Sequence, residues 1–216
     1  MKHITFYFDV ISPYAYLAFE HLPEALKGLS YSVSYRPVLF AAMLKHHGQL
    51  GPAEIAPKRD WTYRQALWHA HSKGIDMKMP ASHPFNPLPL LRLASACGTP
   101  ADPASINRYV CETILRHVWQ GGAEATDEER LAALTAQLAP QQHLSADEAK
   151  AQLKKNTDEA IALNLFGVPA MEVDGKIFWG FDALPMLREY LLGNAWFDGE
   201  DWNGVSNISV GIARKV

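Results

Sequence analysis

The sequence predicts an α/β protein whose single sheet is interrupted by a large inserted all-helical subdomain. Three observations predict this class: a βαβ pattern near the N-terminus, a ββα pattern near the C-terminus, and helical patterning in the long stretch between them. We therefore predict that residues 1–40 and 166–195 form one domain, that 41–165 form the helical insertion and that 196–216 form a C-terminal tail.

The βαβ pattern begins with residues 4–10, which are rich in β-branched and aromatic side chains on both faces, as in a central strand. Ser12-Pro13 then offers an N-cap followed by proline at the first helical position, and apolar residues continue at helical spacing up to Gly28. Residues 31–37 alternate again as a second strand. A strand, a helix and a second strand predict a parallel crossover unit.

The remaining elements follow from capping and turn patterns. Two helices of the insertion are predicted to begin at the capping boxes Thr126-x-x-Glu129 and Ser145-x-x-Glu148. Strand patterns return at 170–173 and 177–179, joined by a hairpin turn at Asp174-Gly175. A last helix, capped by Asp182, is predicted to follow.

Composition excludes several function classes. The chain of 216 residues has a formal net charge of -3 and no stripe of lysine or arginine, so nucleic acid is not an expected partner. No run approaches the roughly 18 apolar residues of a membrane span. The first residues lead directly into a strand without the pattern of a secretory signal, which predicts a cytoplasmic protein.

Cysteine and histidine carry no recognisable site. Cys97 and Cys111 lie in helical stretches outside any Cys-x-x-Cys, and we expect buried free thiols, the alternatives being a disulfide or a catalytic thiol. The histidines follow no known zinc spacing, so no metal is expected.

Two local features point to ligand chemistry. A strand that feeds a helix at Ser12 places a hydroxyl where unpaired amides and the helix dipole stabilise an anion, although Ser12 can equally be a simple N-cap. Gly167-Val168-Pro169 precedes a strand, where an X-Pro bond can be cis. A cis bond would leave the amide and carbonyl of Val168 free to pair with an extended peptide, the alternative being a plain loop end.

A set of motifs, taken in order, carries a family resemblance. The two ends hold Phe8-Asp9-x-x-Ser12-Pro13-Tyr14-x-Tyr16-Leu17, and Gly167-Val168-Pro169 with Phe178-Trp179-Gly180-x-Asp182. Between them stand Arg36-Pro37-Val38, Lys58-Arg59, His83-Pro84-Phe85-Asn86-Pro87-Leu88 and Leu91-Arg92-Leu93. Over about residues 4–192 the chain resembles the 2-hydroxychromene-2-carboxylate isomerase group, a DsbA-like branch of the thioredoxin superfamily close to the kappa-class glutathione transferases.

The resemblance implies a thioredoxin-like fold with glutathione as cofactor. Redox members carry Cys-x-x-Cys where this chain has Ser12-Pro13-Tyr14-Ala15, which excludes disulfide exchange there. Ser12 is instead implied to stabilise the glutathione thiolate, the nucleophilic form of the thiol. By position, the family's glutathione site continues with Val168, Pro169, Trp179, Gly180, Phe181 and Asp182.

The family's substrate is an aromatic carboxylic acid, so the resemblance also implies groups that hold carboxylate and phenolic oxygens. The candidates are Lys45, Lys58, Arg59 and Asn86, although the context of Lys45 equally suits a solvated helix face. The chain departs from many relatives at Gln65 and Trp68, where they have Asp and Arg, and at Gly48-Gln49, where kappa-type relatives have Gly-Asn. These departures concern the identity of the substrate.

The implied activity is reversible thiolate attack that opens the chromene ring, followed by rotation and thiol release to give trans-o-hydroxybenzylidenepyruvate. The alternatives are a kappa-like transferase that conjugates electrophiles, a non-catalytic glutathione- or peptide-binding module, and, least of all, a disulfide oxidoreductase. A homodimer is expected by resemblance.

Overall fold

One mixed four-stranded sheet lies at the centre of the molecule, whose computed structural model describes residues 1–212. The strands are β1 (Lys2–Phe8), β2 (Tyr31–Pro37), β3 (Ala170–Val173) and β4 (Lys176–Trp179). Their order is β2-β1-β3-β4, with β1 and β2 parallel and the other two pairs antiparallel. The βαβ and ββα units therefore share one sheet, and the predicted fold class is confirmed.

Nine α-helices accompany the sheet over residues 1–212, six of them between β2 and β3. They are α1 (Pro13–Ala25), α2 (Phe40–His46), α3 (Ala56–Lys73), α4 (Leu88–Ala96), α5 (Arg108–Trp119), α6 (Glu128–Leu138), α7 (Ala146–Ala162), α8 (Leu184–Leu191) and α9 (Glu200–Asn203). None of these helices combines the length and apolar character that crossing a membrane requires.

Strand β1 is buried on both faces because each face packs against a different apolar cluster. Phe6 and Phe8 point into the larger cluster, which also contains the fully buried Trp119. Tyr7 points to the opposite face and packs in a smaller cluster with Val168. The chain that leaves the end of β1 therefore starts from a position held by packing on both sides.

The first strand and helix are shorter than their sequence patterns predict. Strand β1 ends at Phe8, and not at residue 10, because the chain turns away from the sheet at Asp9. The Asp9 carboxylate accepts hydrogen bonds from Ile11 N at 3.1 Å and from Phe40 N at 2.9 Å. Helix α1 ends at Ala25 and not at Gly28.

One of the two predicted capping boxes is confirmed and one is wrong. Ser145 accepts a hydrogen bond from Glu148 N at 3.4 Å, and the Glu148 carboxylate accepts one from Ser145 N at 2.8 Å. The predicted cap at Thr126 is wrong because Asp127, one residue later, is the N-cap of α6 and accepts from Arg130 N at 3.0 Å. A carboxylate is also favoured there by the helix dipole.

The prediction that Asp182 caps the last helix is also wrong. A 3-10 turn spans Phe181–Ala183, and α8 begins afterwards at Leu184 without a side-chain cap. Pro185 lies in the first turn of α8, where proline is well tolerated because the missing N–H would be unpaired anyway. Asp182 is therefore exposed in the turn before the helix.

In the predicted tail, 196–216, the segment around Phe197 and Trp202 packs against the end of the sheet, residues 205–212 are exposed, and residues 213–216 lie outside the described part. Phe197 is buried, and the rings of Phe197 and Trp202 lie 5.9 and 5.7 Å from that of Phe178 on β4. Lys176 Nζ donates to the Phe197 carbonyl at 3.0 Å.

Candidate active site

The start of α1 holds Ser12 at the positive end of a 13-residue helix. Ser12 is the N-cap, with an extended backbone at φ -90° and ψ 115°, and its Oγ accepts from Ala15 N at 3.2 Å. Pro13 occupies the first turn. The unpaired amides of this turn and the helix dipole favour negative charge beside Ser12.

The loop before β3 brings Val168 to Ser12, although 156 residues separate them. Ser12 Oγ donates a hydrogen bond to the Val168 carbonyl at 3.2 Å, and the Val168-Pro169 peptide bond is cis. Gly180 N donates to the Pro169 carbonyl at 2.9 Å. Four predicted site residues therefore lie side by side. Ser12 occupies one acceptor position of the Val168 carbonyl, and the second remains for the predicted pairing with an extended peptide.

Trp179 forms one wall beside this loop. Its side chain is 51% exposed, and its ring packs against Phe166 with centroids 4.7 Å apart. A Cβ added at Gly167 would lie 2.5 Å from Trp179 Nε1, which is too close for any side chain. Glycine at position 167 is therefore required for the indole to lie against the loop.

The turn after β4 places Phe181 and Asp182 near the side of α1. Phe181 is buried against the ring of His69, with centroids 5.0 Å apart. Tyr14 OH donates to Gln65 Oε1 at 2.6 Å. Burial, and then the negative charge of Asp182, raise the pKa of Tyr14. Tyr14, bonded to Gln65, thus lies near Asp182 at this edge of the predicted site, and the sequence interpretation assigned neither residue to it.

The segment between β1 and Ser12 is held by distant side chains. Trp119 Nε1 donates to the Val10 carbonyl at 3.0 Å, and His83 Nε2 bonds to the Ile11 carbonyl at 2.7 Å. Burial raises the pKa of Asp9 to about 7, although its backbone hydrogen bonds act in the opposite direction. The backbone that presents Ser12 is therefore fixed by groups from three parts of the chain.

His83 and Tyr63 are site neighbours that sequence reasoning missed. Tyr63 OH lies 2.7 Å from His83 Nδ1 and 2.9 Å from the His83 carbonyl oxygen. His83 stands in the same short motif as Asn86, so the motif could have suggested it. Tyr63 has no comparable signal, because only the packing of α3 brings it to His83.

Two of the substrate candidates have partners in the structure. Arg59 forms an ion pair with Asp60 at 3.7 Å, and its charge partly offsets the burial that raises the pKa of Tyr63. Arg59 therefore lies on the same face of α3 as Tyr63, one helical turn before it. Asn86 Oδ1 accepts from Leu88 N at 3.1 Å at the start of α4.

Lys45 and Lys58 are exposed, at the end of α2 and the start of α3. Within residues 1–212, no hydrogen bond or ion pair joins either lysine to Ser12 or Val168. The structure thus brings Ser12, Val168, Pro169 and Gly180 together, whereas Lys45 and Lys58 lie at the surface.

The cysteines do not contribute sulfur chemistry. Cys97 and Cys111 are buried free thiols, as predicted. Burial raises the pKa of Cys97 to about 11 and that of Cys111 well above its ordinary value, so neither forms a reactive thiolate. Among the described residues, no group of three or more metal-ligating side chains is placed to hold an ion.

Comparison with known proteins agrees with this architecture. The family model of the DSBA-like thioredoxin domain matches residues 3–192. The chain belongs to the DsbA-like thioredoxin family. This DsbA-like chain is 27% identical to a 2-hydroxychromene-2-carboxylate isomerase of Sphingobium xenophagum over 88% of its own length and 98% of the relative. It is 26% identical to glutathione S-transferase kappa 2 of Caenorhabditis elegans, over 88% and 92% of the two chains.

The fold of this DsbA-like protein also matches a solved structure. A 2-hydroxychromene-2-carboxylate isomerase superposes with a TM-score of 0.68 at 22% identity, over 92% of this chain and 98% of the other. The family resemblance inferred from the motifs is confirmed.

Proposed function

We propose that this chain is a glutathione-dependent isomerase of an aromatic carboxylate such as 2-hydroxychromene-2-carboxylate. One observation carries the proposal: Ser12 Oγ meets the Val168 carbonyl at the N-terminus of α1, in a site that has no cysteine of its own. Relatives named as 2-hydroxychromene-2-carboxylate isomerase and as kappa transferase support an enzymatic role that uses glutathione.

The residues present fit the tripeptide. The backbone of Val168 lies beside Ser12, where a cysteinyl unit would bring its sulfur to the start of α1. Trp179 offers a half-exposed aromatic wall, and Asp182 offers an exposed carboxylate that can pair with an α-ammonium group. Glutathione, when bound, supplies a sulfur nucleophile that adds to the substrate and leaves again.

Ser12 performs its part by exchanging one hydrogen-bond acceptor for another. Its single hydroxyl proton is directed to the neutral Val168 carbonyl in the structure. Turning that proton to a thiolate replaces a neutral hydrogen bond with a charge-assisted one, which is roughly twice as strong. The Ala15 amide continues to bond Oγ and keeps the side chain in place. Together with the dipole of α1, this lowers the pKa of the bound thiol.

The substrate carboxylate is assigned to the surface cations of the helical insertion. Lys58 and Arg59 lie in the first turn of α3. Tyr63 follows Arg59 by one helical turn and bonds to His83 beside the Ser12 loop. Asn86 follows His83 in the chain, and Lys45 is the most distant in sequence from this group. Orientation by these groups would place the reacting carbon near the sulfur.

The test is the ultraviolet absorbance change when 2-hydroxychromene-2-carboxylate is mixed with the protein, with and without glutathione. Conversion is expected only with glutathione and is expected to collapse in Ser12→Ala. Ser145→Ala is the matched control, because it removes the same kind of N-cap hydroxyl from α7. Glutathione-independent conversion, or equal loss in both variants, would contradict the role of Ser12.

A conjugating activity is the second candidate, since the kappa relative matches the chain about as well as the isomerase does. Stoichiometric consumption of glutathione with an electrophile, without chromene conversion, would favour this transferase. Glutathione binding without either reaction would favour a non-catalytic module.

A homodimer and a cytoplasmic location stay predictions. Trp61 and Trp68 support self-association, because they are two helical turns apart on α3 and are each 63% exposed. Light scattering on the purified protein measures the assembly state directly.

A further inference from the structure

We propose that His83 is a positioning residue that aims the Ser12 hydroxyl, and that Tyr63 orients the His83 ring. The proposal rests on the proposed function, because its readout is the bound glutathione thiol. Its basis is the 2.7 Å bond from His83 Nε2 to the Ile11 carbonyl, which belongs to the peptide unit immediately before Ser12.

That peptide unit is held at both ends. Its carbonyl, from Ile11, accepts from His83, and its N–H, from Ser12, donates to the Asp9 carbonyl at 3.1 Å. Because a peptide unit is planar, two bonds on opposite sides fix its orientation. The orientation of this plane sets the φ angle of Ser12, and with it the direction in which Oγ leaves the backbone. His83 therefore acts on the site through the backbone and does not touch the sulfur.

The proton positions follow from the partners. A carbonyl oxygen only accepts, so Nε2 of His83 must carry a proton to bond with Ile11. Burial lowers the pKa of His83, which keeps the ring neutral and leaves Nδ1 without a proton. Nδ1 then accepts from Tyr63 OH, which lies 2.7 Å away. The bond to Ile11 therefore sets the tautomer, and the single proton of Tyr63 OH, which also lies 2.9 Å from the His83 carbonyl oxygen, is shared between that oxygen and Nδ1.

Aromatic packing holds the same ring in position. The centroids of Tyr63, Trp119 and Phe85 lie 5.3, 5.6 and 6.0 Å from that of His83. Trp119 also bonds to the Val10 carbonyl, one residue earlier in the same segment. The helical insertion therefore fixes two consecutive carbonyls before Ser12, and His83 holds the one adjacent to it.

The experiment measures three quantities in His83→Phe: the affinity for glutathione, the pKa of the bound thiol from its thiolate absorbance, and turnover. Phenylalanine keeps the ring contacts but loses both ring nitrogens. We expect an unchanged affinity, a raised thiol pKa and turnover lower by about tenfold. His83→Gln keeps an N–H that reaches Ile11 and is expected to restore most of the thiol pKa shift and turnover.

The matched control is His117→Phe. His117 is also partly buried and bonds through Nε2 to a backbone carbonyl, that of Ala125, at 2.9 Å, but on α5 outside the site. This variant should lose stability like His83→Phe without any change in thiol pKa. If His83→Phe fails to fold, Tyr63→Phe removes only the hydroxyl that orients the ring and should change the thiol pKa in the same direction.

The outcomes separate the two proposals. If the unaltered protein binds no glutathione, the proposed function fails and this inference fails with it. If it binds glutathione but His83→Phe leaves the thiol pKa and turnover unchanged, only the positioning role is overturned. Equal losses in His83→Gln and His83→Phe would also overturn it, because the bond to Ile11 would then not be the contact that acts.

Discussion

The two sides of the candidate site are built differently. On the side of the sheet, Ser12, Val168 and Pro169 are held by backbone and side-chain hydrogen bonds and are buried or nearly so. On the side of the helical insertion, Lys45 and Lys58 are exposed and Arg59 pairs with its chain neighbour Asp60. The rigid side suits chemistry that is the same for every substrate, whereas the exposed side suits recognition of a particular one.

The positions at which the sequence departs from its relatives are divided between the two sides in the same way. Gln65 and Trp68 both lie on α3, on the insertion side, whereas the Ser12 and Val168 motifs keep the family pattern. Substitution of Ser12 should therefore change the chemical step, and substitution of the exposed lysines of the insertion should change the affinity for substrate.

The largest effect is expected at Ser12. Ser12→Ala should lower turnover by about 100-fold, the usual cost of removing a single donor to a developing anion. It should lower the free energy of unfolding by only about 1 kcal/mol through loss of the cap. Ser12→Thr keeps a hydroxyl and should retain far more activity. Steady-state kinetics measure the turnover, and urea unfolding measures the stability. Equal activity of the Ala and Thr variants would show that the Ser12 hydroxyl takes no part in the reaction.

The next effect concerns Asp9, which ionises near pH 3.8 in the unfolded chain and near pH 7 in the folded one. Between these values the folded state holds the extra proton, so the free energy of unfolding falls as the pH rises. The fall should be about 2 kcal/mol from about pH 5 to about pH 7. Urea unfolding at several pH values should show it, and Asp9→Asn should flatten the curve. Parallel curves for both proteins would contradict the raised pKa.

A smaller effect is expected at Gly167. A methyl group there must displace the Trp179 indole, whose Nε1 would lie 2.5 Å from the new Cβ. Because Trp179 forms the wall of the proposed glutathione site, Gly167→Ala should weaken glutathione binding by about tenfold with little change in turnover at saturation. Gly211→Ala is the control, since nothing lies within 4 Å of its added Cβ. Calorimetric titration measures the affinity of each variant for glutathione. Equal affinities of Gly167→Ala and Gly211→Ala would show that the indole does not contact glutathione.

The smallest effect is expected on the insertion side. Lys58→Met should raise KM for the aromatic carboxylate several-fold while leaving the bound thiol pKa unchanged, because exposed ion pairs contribute only about 1 kcal/mol. Lys45→Met should change KM less. A loss of turnover in Lys58→Met without a change in KM would place this lysine on the chemical side of the site.

Much of the architecture was predictable because its causes are local. The apolar run of β1, the alternation in β2, the proline after Ser12, the Asp174-Gly175 turn and the capping box at Ser145 each act over a few residues. The errors are also local: Asp127, and not Thr126, caps α6, and a 3-10 turn that contains Asp182 precedes the start of α8.

The sequence by itself determined the fold class, the N-cap at Ser12, the absence of a Cys-x-x-Cys at that position and, through ordered motifs, the family. Only the tertiary structure decided that Ser12 donates to Val168, and that His83 and Trp119 hold the carbonyls before it. The physical reason is distance along the chain. Contacts between residues far apart in sequence leave no periodic pattern, and they form only when the sheet and the inserted helices pack together.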